Sequence, residues 1–244
     1  MTEFCKICDP KCKYSDCICN ENFTNFYDTY NELHSIEKTE NFSLSKNWSI
    51  STMTVCCGFN SSIKLTEYIK TYCSEISGKT FYNCINTYTG VKYQSKNRVS
   101  IKIFSNGNIQ LAGVLNVMSA TYAARKIYRR LLEVNAFLTP DVSKITDIRI
   151  CMINSDFKIT KNIKQKLLCT LLDDIDIPFI KRYTYNPSKY PGINLKIEDG
   201  TKNKLTVAIF RPGSIILTGG SDLKLYYETF KCLLNILNNN ELLY

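Results

Sequence analysis

From residue 50 onward, hydrophobic and polar positions follow two periods that alternate along the chain. In NKLTVAIF, Leu205, Val207 and Ile209 alternate with Thr206, Ala208 and Phe210; in RVSIKIF, Val99, Ile101 and Ile103 alternate with Ser100, Lys102 and Phe104. A period of two puts the aliphatics on one face of a sheet. The glycines of SNG and RPG supply the tight connection that turns each strand back. On the returning strands Ile109 and Leu111, like Ile215 and Leu217, continue the aliphatic face, while Gln110 and Ala112, like Ile216 and Thr218, fall on the other. After each hairpin the period changes to that of a helix. Leu223, Tyr226, Tyr227, Phe230, Leu233, Leu234 and Leu237 recur at three-four spacing, as do Ala120, Ala123, Ala124, Ile127, Leu131 and Val134. Ser221-Asp222 and Ser119 are the expected helix starts.

These elements occur twice in the same order: strand, helix, several strands, long helix. The turn glycines Gly107 and Gly213 are 106 residues apart (213 − 107), and the opening strands, read from Ile50 and Ile145, are 95 apart (145 − 50). The division that follows is 1–19, a Cys-rich segment; 20–48, a polar helix and linker; 49–138, the first repeat; and 139–244, the second. The fold class is α+β: the helical stripes cover the aliphatic sheet face. The opposite face carries small and polar residues and one aromatic per hairpin. Such an uncovered face is a binding-surface candidate; the other reading packs each aromatic at the sheet edge under a loop.

Composition narrows the function classes. The formal charge is +9, which points to a polyanionic partner, nucleic acid before membrane. No stretch reads as membrane-spanning, and Met1 to Cys19 has no apolar signal core, so a reducing compartment is expected. The single histidine, His34, sits in a polar stretch, which leaves histidine-based catalysis nothing to work with. No phosphate loop, paired-carboxylate motif or nucleophile elbow is present, and the acidic LLDDIDIP near Asp173 reads as a helix end. The expectation is a protein that is not an enzyme and requires no cofactor. Among the 12 cysteines, Cys5, Cys8, Cys12, Cys17 and Cys19 crowd the start of the chain. Four such thiolates can close a tetrahedral zinc site; the alternative is a redox-sensitive arm.

In this order, IFSNG, AARKIYRR, NPSKYPGINLKI and IFRPGSIILTGG resemble the TATA-box-binding protein (TBP) family, most closely its divergent versions in large DNA viruses. The resemblance covers about Ile50 to Leu237. It implies a saddle of ten antiparallel strands with four helices on the convex side, a concave face that enters the DNA minor groove, and two aromatic pairs that wedge into base steps. The wedge pairs then fall on Phe81 with Phe104 and on Tyr190 with Phe210, tyrosine standing where the family has phenylalanine. The family's central asparagines fall on Thr52 and Asp147. Threonine can donate to the acceptors of A·T pairs. An ionised aspartate only accepts, and Arg149, two residues on, offsets its charge.

Thr54, Ile85, Gln110, Ala112, Asn194, Lys196, Ile216 and Thr218 complete the implied concave face. Lys196 takes a basic phosphate contact whose first-repeat counterpart is Thr87, with Lys102 as partial replacement. Arg125, Lys126, Arg129 and Arg130 form either a solvated ridge or a contact to flanking phosphates. The implied function is a transcription initiation factor that binds and bends AT-rich double-stranded DNA. The runner-up is an interaction module of the viral transcription machinery with weak or no sequence-specific binding. The implied partners are a transcription factor B-like protein and RNA polymerase, both virus-encoded, because the family's acidic stirrup here reads Asn186, Ser188 and Lys189. A monomer is expected, in the nucleus or a cytoplasmic viral factory of an infected cell, or packaged in the virion.

Overall fold

The structure is a computed structural model that describes residues 28–33, 45–76, 80–90, 98–139, 145–174, 177, 179–200, 203–239 and 241–244. The N-terminal cysteines and His34 lie outside the described residues. Besides a helical stretch at residues 28–33, the described residues form nine strands and four longer α-helices: β1 (Ser45–Phe59), α1 (Leu65–Tyr72), β2 (Cys84–Gly90), β3 (Arg98–Phe104), β4 (Asn108–Val114), α2 (Val117–Glu133), β5 (Ile145–Ile159), α3 (Gln165–Asp174), β6 (Ile180–Asn186), β7 (Tyr190–Glu198), β8 (Lys204–Ile209), β9 (Ser214–Gly219) and α4 (Leu223–Asn239). The family's ten-strand count is thus nine here among the described residues.

The chain divides into two compact units, one with residues 52–151 and the other with 26–51 and 152–244. In the first, the strand order is β2-β3-β4-β1, followed by the N-terminal part of β5; in the second, the C-terminal part of β5 is followed by β9-β8-β7-β6. Every adjacent pair among β2, β3, β4 and β1, and among β5 to β9, is antiparallel.

The alternation read from sequence is the alternation of burial. Val99, Ile101, Ile103, Ile109 and Leu111 are buried, and so are Leu205, Val207, Ile209, Ile215 and Leu217. Ala120, Ala123, Ala124, Ile127 and Leu131 of α2 are fully buried, as are Tyr226 and Phe230 of α4. Each helix buries the aliphatic face of its own unit, at a gain of roughly 1.5–3 kcal/mol per large side chain. The second helix start is as read: Asp222 Oδ1 accepts from the amides of Lys224 (2.9 Å) and Leu225 (3.3 Å). The first is not. Asn116 Oδ1 caps α2 by accepting from the amide of Ser119 at 2.8 Å, and Ser119 itself is buried one turn inside.

The turn glycines are required twice over. Gly107 and Gly213 have φ of +91° and +85°. A Cβ at Gly107 would lie 2.2 Å from the Ser61 carbonyl oxygen, and one at Gly213 would lie 2.4 Å from that of Ile159. Only glycine meets both conditions.

One boundary and one side chain differ from the sequence reading. The stretch assigned to a linker up to residue 48 holds the start of β1, and Trp48 is fully buried in the second unit. Its Nε1 donates to Ser155 Oγ at 3.1 Å, and its ring meets that of Tyr227 edge-on at 6.3 Å. Arg130 is no part of a free basic ridge. Its guanidinium makes a bidentate pair with Glu75 (2.6 and 2.8 Å) and lies 4.8 Å from the Tyr72 ring centre, which ties the end of α1 to α2.

Trp48 is the only tryptophan. Trp48→Ala is expected to lower the stability of the protein by about 3–5 kcal/mol. Urea unfolding followed by far-UV circular dichroism measures this; a change below about 1 kcal/mol would mean that β1 is dispensable to the second core.

Candidate nucleic-acid interface

The second unit carries the better-formed half of the site. Tyr190 opens β7 and Phe210 follows β8, so the antiparallel β7–β8 pair brings both rings to one end of the sheet. Their centroids are 5.7 Å apart at 63°, an edge-to-face contact. Tyr190 is exposed and Phe210 half-buried. Gly192 lies beneath them: a Cβ there would come within 2.9 Å of Tyr190 Cε1 and 3.1 Å of Phe210 Cε1.

A residue that the sequence reading passed over holds this pair in position. Gln165, the first residue of α3, is buried, and its Nε2 donates to the carbonyls of Pro191 (2.9 Å) and Ile209 (3.0 Å). Its Oε1 accepts from the Tyr185 hydroxyl at 3.1 Å. One amide thereby clamps the backbone next to each ring. Its equivalent in the first unit is Leu65, at the start of α1, which has no polar group to offer.

Asn194, Lys196, Ile216 and Thr218 stand together on the open face of the second unit. Asn194 pairs with Ala208, and Lys196 with Thr206, its Nζ donating to Thr206 Oγ1 at 2.7 Å. Ile216 is 40% exposed on the same face, and Thr218 Oγ1 donates to Asn154 Oδ1 at 2.6 Å. Asn154, Asp156 and Lys158 of β5 share this face, opposite Thr218, Ile216 and Ser214, and the sequence reading missed them.

The reason is register. Thr54 stands opposite Ala112 and Asn154 opposite Thr218, so the opening strands are 100 residues apart (154 − 54), not 95. Thr52 therefore corresponds to Met152, and Asp147 is not its counterpart. Asp147 lies in β5, and its side chain is outside the described residues.

In the first unit Phe104 ends β3 half-buried, and Lys102 is exposed opposite Asn86 and Gln110. Gln110 and Ala112 are half-buried on the same face. Thr52 is half-buried on β1, and Thr54, opposite Ala112, is only 5% exposed, so it presents little surface. Ile85 and Thr87 are fully buried on the helix-covered face, which removes them from the open one. Ile85 opposite Ile103 answers to Ile193 opposite Ile209, so Asn86 and Tyr88 stand where Asn194 and Lys196 stand. By the same register Tyr82, 98% exposed, corresponds to Tyr190, with Phe81, 57% exposed, beside it.

Arg149 is exposed and joins Phe104, Asn106, Asn108, Gln110, Cys56 and Cys57 around a pocket of about 340 Å³. The Cys56 thiol beside it is pushed up to about 12 by burial and by the neighbouring Cys151 thiol, against the opposing effect of Arg149. Along β5 the exposed positions change parity, from Arg149 and Cys151 to Asp156 and Lys158. A strand that switches parity in this way cannot be registered by alternation alone.

In the β6–β7 turn, Asn186, Ser188 and Lys189 are exposed, and the Lys189 amide donates to the Asn186 carbonyl at 3.0 Å. Among the described residues no group of three or more His, Cys, Asp or Glu side chains is placed to hold a metal, and no helix is long and apolar enough to cross a membrane.

Repeated antiparallel sheets with one helix-covered face and one open face edged by aromatics define a TBP-like fold. Residues 168–240 match the family model "Transcription factor TFIID (or TATA-binding protein, TBP)". The structure is similar to that of Methanococcus jannaschii TBP, with a TM-score of 0.61 and 18% identity, over 80% of this chain and 99% of that one. In sequence, the chain is 29% identical over 167 residues to the "TATA-box-binding protein-like" protein of Acanthamoeba polyphaga mimivirus; the match covers 60% of this chain and 45% of the mimivirus protein. It is 22% identical to "TATA-box-binding protein 2" of Methanosarcina acetivorans, over 65% of this chain and 80% of that protein. The chain is therefore TBP-like in fold, and it carries the family's own sequence pattern in its second repeat.

Gln165→Leu keeps the volume and removes the clamp. It is expected to lower stability by roughly 1–3 kcal/mol, the penalty of removing the donor from the buried contact to the Ile209 carbonyl and from the part-buried one to Pro191. Urea unfolding reads this, with far-UV circular dichroism as the check that the fold persists; unchanged stability would show that water replaces the amide.

Proposed function

We propose that this chain is a TBP-like transcription initiation factor, not an enzyme, whose open sheet faces lie in the minor groove of AT-rich promoter DNA and bend it. The observation that carries this reading is the clamped Tyr190–Phe210 pair at the end of a sheet face lined by small side chains and donors. An exposed edge-to-face pair held by its backbone suits insertion between base pairs, an act that costs a few kcal/mol of unstacking per step. Asn194, whose amide carries N–H donors, suits a groove whose floor shows acceptors. The net charge of +9 suits a polyanion.

The partners that fit are a factor B-like protein and RNA polymerase of viral origin. A β6–β7 turn without carboxylates suits an acidic or neutral docking surface better than a basic one. The five N-terminal cysteines fit a structural zinc site, and an infected cell is the setting.

A second reading, a TBP-fold interaction module with weak DNA binding, is favoured by Asp156, an exposed carboxylate on the open face, and by Tyr88 in the place that Lys196 occupies in the other unit.

Fluorescence anisotropy with AT-rich and GC-rich duplexes separates the two. The first reading expects tighter AT-rich binding and its loss in Phe104→Ala/Phe210→Ala, at about 1–3 kcal/mol per ring. Equal binding of both duplexes, unaffected by the double substitution, would establish the second. In the same assay Lys196→Ala is expected to reduce the salt slope by about one.

A further inference from the structure

The open face of the first unit carries chemistry that groove binding does not use. Cys56 on β1 and Cys151 on β5 are free thiols on neighbouring strands, near enough that the Cys151 thiol raises that of Cys56. Both belong to the first unit. Cys56 is half-buried and lines the pocket beside Phe104; Cys151 is exposed, and its Sγ donates to the Arg149 carbonyl at 3.9 Å. The same strands come together nearby, where Thr146 Oγ1 donates to the Gly58 carbonyl at 3.3 Å. Two free thiols on one face of neighbouring strands can close a disulfide through rotamer changes and a backbone shift that brings their Cβ atoms together. Cys57, next in sequence, faces the core and is buried, so the pair is selective.

We propose that Cys56 and Cys151 form a modification site: a hydroperoxide oxidises them to a disulfide that joins β1 to β5 on the nucleic-acid-facing side of the first unit. Cys151 meets the oxidant first because it is the exposed partner. Its thiolate attacks one peroxide oxygen and becomes a sulfenic acid, and the other oxygen leaves as hydroxide, which takes up a proton to give water. The Cys56 sulfur then attacks the sulfenic sulfur, and the departing hydroxyl carries off the Cys56 proton as a second water. Two thiols and one peroxide give one disulfide and two waters.

Cys56 is half-buried, and burial disfavours its thiolate, so the exposed Cys151 is the entry point for the oxidant. Closure turns the Cys151 side chain off the Arg149 carbonyl and towards Cys56, beside the pocket that Arg149 and Phe104 line. Its expected effect, which rests on the DNA-binding reading, is weaker binding by the oxidised form. The second unit has Asp156 at the place of Cys56, so the response is confined to one half of the molecule.

The test uses the full chain, treated with hydrogen peroxide, alkylated and digested. The expected product is a peptide pair linked through Cys56 and Cys151 that dithiothreitol separates. In parallel, affinity for an AT-rich duplex should fall by roughly fivefold or more, as when one cationic contact is displaced, and return on reduction. Cys151→Ser and Cys56→Ser should each abolish the linked peptide and the response to peroxide, each variant being compared with itself before and after oxidant. Absence of the linked peptide, or oxidation of Cys151 to sulfinic or sulfonic acid without it, would overturn the proposal. A linked peptide with unchanged affinity would overturn the effect on binding alone. Failure of the reduced protein to bind any duplex would count against the DNA-binding reading and leave the mapped disulfide standing.

Discussion

The architecture depends on one close approach made twice. In each repeat the turn glycine of a hairpin sits against the carbonyl-lined end of the opening strand. The amide of Phe59 donates to the Gly107 carbonyl at 3.0 Å, and that of Ile159 to the Gly213 carbonyl at 2.8 Å. These bonds fix how far the hairpin reaches past its neighbour. They thereby set where Phe104 and Phe210, three residues before each glycine, emerge from the sheet. A bulkier residue at the turn would push the hairpin off the strand and carry the aromatic with it. The aliphatic faces and the helices that cover them follow from alternation; the location of the aromatics follows from this contact.

Much of this was legible in sequence, and the failures have identifiable causes. Hairpins are legible because aliphatic residues recur at every second position along most of β3, β4, β8 and β9 and their turns carry an obligatory glycine. The opening strands were read five residues out of register because β5 changes the parity of its exposed positions between Cys151 and Asp156, which defeats a period-two argument. Trp48 was assigned to a linker because its immediate neighbours are polar; its partners, Ser155 and Tyr227, lie more than a hundred residues away. Ile85 and Thr87 were put on the wrong face by a one-residue slip at β2, where a match anchored on Phe81 overrode the burial pattern. Gln165 was invisible because a glutamine at a helix start ordinarily meets solvent. Only the tertiary structure shows that it faces two backbone carbonyls.

The two repeats have the same plan and different chemistry. In the second, a buried amide braces the aromatic pair, and the face around it carries Asp156, Lys158, Arg182, Lys196 and the Glu198–Lys204 ion pair. In the first, Leu65 takes the place of the amide, Tyr82 and Phe81 project from a bend, and a guanidinium and two thiols surround a pocket beside Phe104. A pseudosymmetric protein with halves this different has distinguishable ends.

Gln165 grips main chain, not rings. What it holds constant is the location at which β7 begins and β8 ends, whatever side chain grows from Tyr190 or Phe210. The tyrosine hydroxyl at 190 is thus an addition the scaffold accepts without rearrangement. A position whose backbone is secured independently of its side chain can change residue with little cost to folding. Such a position is open to divergence in what it recognises while the architecture around it stays fixed.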